Sequence, residues 1–224
     1  VHSGDFKLDQ TPVDDWPTDF AKLGEFASRG VLALLSDSTN ADQPGWTRSE
    51  SVIDGAFDQV FREADGRILV ATFASLISRI QQVINAAKRH GRRVALVGTS
   101  MVVNSKMALK LGYLKDPHGV LLPLDQALEL PNNKVTLMMT GSQGEPSSIL
   151  GRLAVGRNRR FDLEEGDTVV VSAHPIPGNE EVVSRTINKI IRRGARVVYD
   201  PLLPVHVSGH ARAEEQKQLI RMVK

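Results

Sequence analysis

The chain has 224 residues, 41% of them hydrophobic and 24% charged, with 28 Lys and Arg against 26 Asp and Glu for a formal charge of +2. These figures fit a soluble globular protein with a sizeable core and exclude a coat for nucleic acid built on bulk charge, while leaving local basic patches open. The lack of any cysteine excludes disulfides and thiolate chemistry, fits a reducing compartment, and restricts a metal ion to His, Asp or Glu.

In chain order the first residues are Val1-His2-Ser3-Gly4-Asp5, without an initiator Met, as expected of a piece of something longer. Neither an uncharged apolar run of membrane-spanning length nor a basic–apolar–small leader is visible, so a cytoplasmic protein with no membrane attachment is expected. From there, short β-branched runs alternate with stretches of helical spacing, the pattern of β-α units around a parallel sheet. A strand is expected at Val31–Ser36, a helix at about 49–63, a strand at Ile68–Phe73, a helix at about 75–90 and a strand at Arg93–Val97. Helices at about 101–111 and 123–129, a strand at Val135–Thr140 and a helix at about 146–155 come next. The strand Thr168–Ser172, a helix at about 180–193, the strand Arg196–Tyr199 and a helix at about 210–223 complete the chain.

Two helices carry clear apolar stripes, Ile77, Ile80, Val83, Ile84 and Ala87 in one and Val182, Val183, Thr186, Ile187 and Ile190 in the other, so both should lie on the sheet. Gly91 after Lys88-Arg89-His90, and Gly194 after Arg192-Arg193, read as C-terminal caps with cations set against the helix dipole. The expected fold class is α/β, an open and mainly parallel Rossmann-like sheet with helices on both faces, in one domain over residues 21–205. Residues 1–20 and 206–224 should belong to something else.

Active loops of such sheets gather at the carboxyl ends of the strands. There the sequence places Ser36-Asp37-Ser38-Thr39-Asn40, Thr72-Phe73-Ala74-Ser75, Thr140-Gly141-Ser142-Gln143-Gly144-Glu145-Pro146, the run from Ser172 to Glu180 with His174 and Pro-Gly-Asn, and Pro204 to His210. Hydroxyls, amides, glycines and histidines at five strand ends suit a phosphate or another polyanion, because Gly-rich turns and helix N-termini bind anions through backbone N–H groups. Singly, each loop reads equally as a turn and a helix cap. His206 and His210 stand four apart, the spacing of a zinc pair on a helix, but Ser208 and Gly209 argue against a helix, which favours phosphate or acid–base contacts. Two function classes stay open on this reading: phosphodiester hydrolysis at a site shared with another domain, and a non-catalytic phosphate- or nucleotide-binding module.

Six ordered motifs carry a resemblance. Residues 1–9 (VHSGDFKLD), 35–40 (LSDSTN), 71–75 (ATFAS), 140–146 (TGSQGEP), 175–180 (PIPGNE) and 206–211 (HVSGHA) resemble bacterial ribonuclease J of the metallo-β-lactamase/β-CASP nucleases, across the whole chain. The resemblance implies the end of a metallo-β-lactamase segment at 1–20, a β-CASP domain at 21–205, and at 206–224 a loop and helix returning toward the metallo-β-lactamase domain. It implies a zinc-dependent ribonuclease with 5′-to-3′ exonuclease and endonuclease action in RNA processing and decay, homo-oligomeric at full length, with two zinc ions. Asp5 then corresponds to the metal-bridging carboxylate, Asp37 and His210 to a catalytic acidic residue and its histidine, and Ser75, His206, Ser208 and Gly209 to a pocket for an RNA phosphate.

The family's His-x-His-x-Asp-His metal motif has no counterpart here, so this stretch by itself is expected to be inactive and metal-free. The family usually follows Phe-Ala-Ser with Asn, a hydrophobic residue and His-Arg, where this chain reads Leu76-Ile77-Ser78-Arg79. The resemblance therefore implies a weaker preference for a 5′-monophosphate and a lean toward endonucleolytic cutting. Trp46 is a candidate to stack a base, and Arg79, Arg152 and Arg157 are candidate phosphate contacts.

Overall fold

The computed structural model describes residues 1–200 and 202–224. They fall into two compact units, Ile53–His206, and Val1–Val52 together with Val207–Lys224.

The larger unit is built on five strands, β1 (Ile68–Ala71), β2 (Arg93–Val97), β3 (Val135–Met139), β4 (Thr168–Val171) and β5 (Arg196–Tyr199). All neighbours are parallel, in the order β2-β3-β1-β4-β5, with Val70 of β1 level with Met138 of β3 and Val170 of β4. Every residue of β1, β3 and β4 is buried. A central parallel strand is covered on both faces, which is why these segments read as unbroken apolar runs instead of alternating ones.

One face of the sheet, including Leu69, Leu137, Met139 and Val169, packs against α5 (Leu124–Leu128), α6 (Ile149–Ala154) and α7 (Glu180–Arg192). The alternate residues Ile68, Val70, Met138 and Val170 are also fully buried. Right-handed crossovers explain the two layers. The connections from β3 to β4 and from β4 to β5 run one way across the sheet, whereas the connection from β1 to β2 through α3 (Ile77–Arg89) runs the other way and puts its helix on the opposite face. Here Ile80, Val83, Ile84 and Ala87 of the expected stripe are buried. The α/β class and the parallel, open, Rossmann-like sheet are therefore as expected, and Gly91 and Gly194 adopt positive φ directly after their helices.

In the smaller unit, α1 (Phe20–Ser28) lies beside α8 (Ala213–Val223), and Leu8, Val207, Ala211, Leu219 and Val223 are its buried apolar residues. The buried carboxylate of Glu215 accepts from the backbone N–H groups of Leu8, Thr47 and Arg212 at 2.9, 2.6 and 2.9 Å. One side chain thus fastens three separate segments.

Two expectations need correction. Val31–Ser36 is no strand of the sheet: it belongs to the smaller unit, where Leu35 forms a single bridge with His2 while Leu32 and Leu35 stay exposed. Only Val31 in it is β-branched, so the apolar run lacks both the propensity and a covered face. Conversely, α1 was not expected. It is capped by Asp19, which accepts from Lys22 N at 2.8 Å, and its short apolar pattern, Phe20, Leu23 and Ala27, is only half-buried. The helices expected from 146 and 210 begin at Ile149 and Ala213, because Ser148 caps the first, and His210 and Ala211 belong to the loop before the second.

Candidate active site

Three of the residues singled out in the sequence converge in the smaller unit. Asp5, Asp37 and His210 each offer one ligand-type atom, and these atoms lie within 4.8 Å of one another. Local hydrogen bonds set this arrangement. The backbone N–H of Asp37 donates to Ser3 Oγ at 3.0 Å, which ties the Asp37 turn to the segment carrying Asp5. Gly4, at φ +60, lets that segment turn beside it.

The Asp37 carboxylate is held at both oxygens. Thr39 donates its backbone N–H and its hydroxyl to Oδ1, at 3.0 and 2.7 Å, and His210 Nδ1 sits 2.9 Å from Oδ2. Its side chain is 4% exposed against 33% for His210. Burial pushes the Asp37 pKa up, but the bonds from Thr39 and His210 outweigh it and bring the group down to about 2. A permanent carboxylate against Nδ1 fixes the imidazole tautomer and leaves Nε2 as its working nitrogen. Asp5 is exposed, and its carboxylate has no hydrogen bond or ion pair among the described residues.

The backbone of His210 is equally constrained. Its N–H donates to Ser208 Oγ at 3.1 Å and its carbonyl accepts from Thr47 Oγ1 at 2.9 Å, while Asn40 Nδ2 donates to Ser208 Oγ at 3.0 Å. Gly209 is exposed, with open space where a Cβ would stand. The remaining pocket candidates, Ser75 and His206, belong to the larger unit, at the end of the loop after β1 and beyond β5. Ser75 is exposed and His206 half-buried.

Residues 65–190 match the family model described as Ribonuclease J, beta-CASP domain. The chain belongs to the ribonuclease J family. It is 48% identical over 222 residues to Ribonuclease J of Thermus thermophilus and 45% identical over 224 residues to that of Synechocystis, matches that cover 99% and 100% of this chain. Ribonuclease J2 of Bacillus subtilis is 40% identical over 224 residues. The chain spans 39%, 35% and 40% of the length of these three relatives.

Within this ribonuclease J β-CASP chain, several polar residues do structural work that the sequence did not announce. Arg79 is no phosphate contact: it is fully buried, donates to Val205 O at 2.7 Å, to Ser172 Oγ and to Gln82 Oε1 at 2.9 Å, and lies over the Phe57 ring. The loop from Thr140 to Pro146 is not an open anion cradle either. Ser142 and Gln143 are buried, and a Cβ on Gly144 would meet the Val182 backbone at 2.9 Å. Gln143 reaches across to the loop after β4, donating to His174 O at 2.8 Å and accepting from Ile176 N at 2.7 Å. Of the other candidates, Arg152 donates to Ser147 O, while Arg157 and Trp46 are exposed. Among the described residues no helix is long and apolar enough to cross a membrane.

Proposed function

We propose that the full-length protein is a zinc-dependent ribonuclease of the cytoplasm, cutting RNA both from the 5′ end and internally in RNA processing and decay. In this reading the present chain supplies the β-CASP part of the RNA cleft, the phosphate pocket and one side of the catalytic centre. The observation that carries it is the convergence of Asp5, Asp37 and His210 in a chain of the ribonuclease J family. The relatives' own name, Ribonuclease J, supports the substrate class.

Two carboxylates and an imidazole are donors of the kind zinc takes. Since His210 Nδ1 is committed to Asp37, Asp5, whose carboxylate makes no bond among the described residues, is the side chain to hold the metal. When bound, the zinc pair supplies Lewis-acid activation of a water and charge to offset that of the reacting phosphodiester. Asp37 orients His210 and stabilises its imidazolium. His210 Nε2 then delivers a proton to the departing 3′ oxygen, general acid catalysis that contributes typically 10²- to 10⁴-fold. Ser75, His206, Ser208 and Gly209 bind an RNA phosphate and set which linkage meets the centre.

One free carboxylate and one hydrogen-bonded dyad are too few ligands for two zinc ions. The 224-residue chain by itself should therefore neither retain zinc nor cleave a 5′-phosphorylated oligoribonucleotide with zinc added, while the full-length enzyme should lose cleavage on chelation and regain it with zinc. Metal-dependent cleavage by the isolated chain, or undiminished cleavage by the chelated enzyme, would overturn the respective half of this reading.

A further inference from the structure

The motif at 35–40 ends in Asn40, a residue with no part in the pairing of Asp37 with His210. Its side chain crosses to the loop before α8, where Nδ2 lies 3.0 Å from Ser208 Oγ and 3.4 Å from the carbonyl oxygen of His210. A carbonyl only accepts, so the amide atom facing it is the nitrogen, and that same nitrogen donates to Ser208. The backbone N–H of His210 donates to the same hydroxyl at 3.1 Å. A hydroxyl has two acceptor positions and one proton to give. Both acceptor positions of Ser208 Oγ are taken by groups that accept nothing in return, and no group among the described residues accepts its proton. Ser208 is half-buried, within reach of a ligand. All three residues belong to the smaller unit, where the backbone of Asn40 is also bridged to that of Arg212.

We propose that Asn40 is a positioning residue of the phosphate pocket, which makes the Ser208 hydroxyl an obligate donor to an RNA phosphate oxygen. The proposal rests on the reading of Ser208 as a phosphate residue. An ionised phosphate offers its site only acceptors, and a freely rotating hydroxyl must give up other orientations to serve one, whereas this hydroxyl has a single direction left for its O–H. The two bonds it accepts also polarise that O–H and strengthen the bond it donates, and a bond to an ionised oxygen is of the strong, charge-assisted kind. Because the donor is set before RNA arrives, little ordering entropy opposes binding. His210 depends less on Asn40, since its carbonyl is held at shorter range, 2.9 Å, by Thr47 Oγ1. Loss of the Asn40 amide therefore falls on the grip on phosphate more than on proton delivery.

The test measures KM and kcat of the full-length enzyme on a 5′-phosphorylated oligoribonucleotide. Ser208→Ala should raise KM about tenfold, as loss of one hydrogen bond to a charged group does. Asn40→Ala should raise KM about three- to tenfold, and added to Ser208→Ala it should raise it no further, because it acts through that hydroxyl. Asn40→Asp keeps the shape of the side chain but turns the donor into a carboxylate that draws the Ser208 proton inward, and it should raise KM at least as much as Asn40→Ala. If Ser208→Ala raises KM while either Asn40 variant leaves it at the wild-type value, or if the effects of Asn40→Ala and Ser208→Ala multiply, Asn40 does not position the donor and the proposal fails alone. If Ser208→Ala leaves KM unchanged, the reading of Ser208 as a phosphate residue fails and takes the proposal with it.

Discussion

Asp37 is held where it is by other residues' donors, so its value to the site lies in what it cannot do: it cannot turn, and above about pH 4 it cannot take a proton. Glu215 applies the same device one step back, at the junction of the segments that carry Asp5, Asp37 and His210. Burial raises its pKa, but donors from Thr47, Arg212 and Leu8 prevail and leave it lowered. Both acids have folded-state pKa values below their unfolded ones, so the stability they provide is present above the ordinary carboxyl range and is lost as pH falls through the lowered values, toward pH 2 for Asp37. Replacing Glu215 by Ala strands three N–H groups and should cost about 2–4 kcal/mol at pH 7. Urea unfolding of this chain, followed by a probe in the smaller unit, should show that loss shrinking between pH 5 and pH 3; a loss independent of pH would contradict the assignment. None of this was legible in the sequence, where Glu215 is one of two adjacent acids in a helix and its partners Leu8 and Thr47 lie 207 and 168 positions away.

At the scale of elements, what was legible is what hydrophobic patterning controls. All five strands are legible as short apolar runs, buried throughout in β1, β3 and β4 and in part in β2 and β5, and α3 and α7 are legible because their stripes meet the sheet. Val31–Ser36 reads as a strand because an apolar run says nothing about whether a neighbour exists to pair with it, and α1 is hard to see because its apolar pattern is only two turns long and half-buried. The loop from Thr140 to Pro146 has anion-site composition, but its glycines serve close packing, a distinction that depends on what approaches them. Polar pairing between strands was equally invisible. Arg67, just before β1, clasps Asp167, just before β4, through Nε at 2.9 Å and a second nitrogen at 2.6 Å, and also bonds Asp162 O at 2.7 Å. With Asp167 1% exposed, Asp167→Ala leaves a buried guanidinium short of its partner and should destabilise the larger unit by about 3–5 kcal/mol. The double variant Arg67→Met with Asp167→Leu should recover most of that in chemical denaturation; a double variant as unstable as Asp167→Ala would show that the pair does more than satisfy itself.

For the whole molecule, the six motifs point to the ribonuclease J family, and the fold agrees with that placement. Spacing alone could not say that Asp5, Asp37 and His210 meet, since 173 positions separate the aspartate from its histidine. The structure brings these three together in the smaller unit, while Ser75 and His206 belong to the larger. The central claim is that Asp37 and His210 act as one proton-delivering unit. Single-turnover cleavage of a 5′-phosphorylated oligoribonucleotide by the full-length enzyme tests it most directly, comparing wild type with Asp37→Asn, His210→Ala and the double variant. The account predicts that each single variant loses about 10²- to 10⁴-fold in rate with RNA binding retained, and that the double variant is no slower than the worse single one, as for residues that work as a unit. Less than a tenfold loss in either single variant, or losses that multiply in the double, would contradict it.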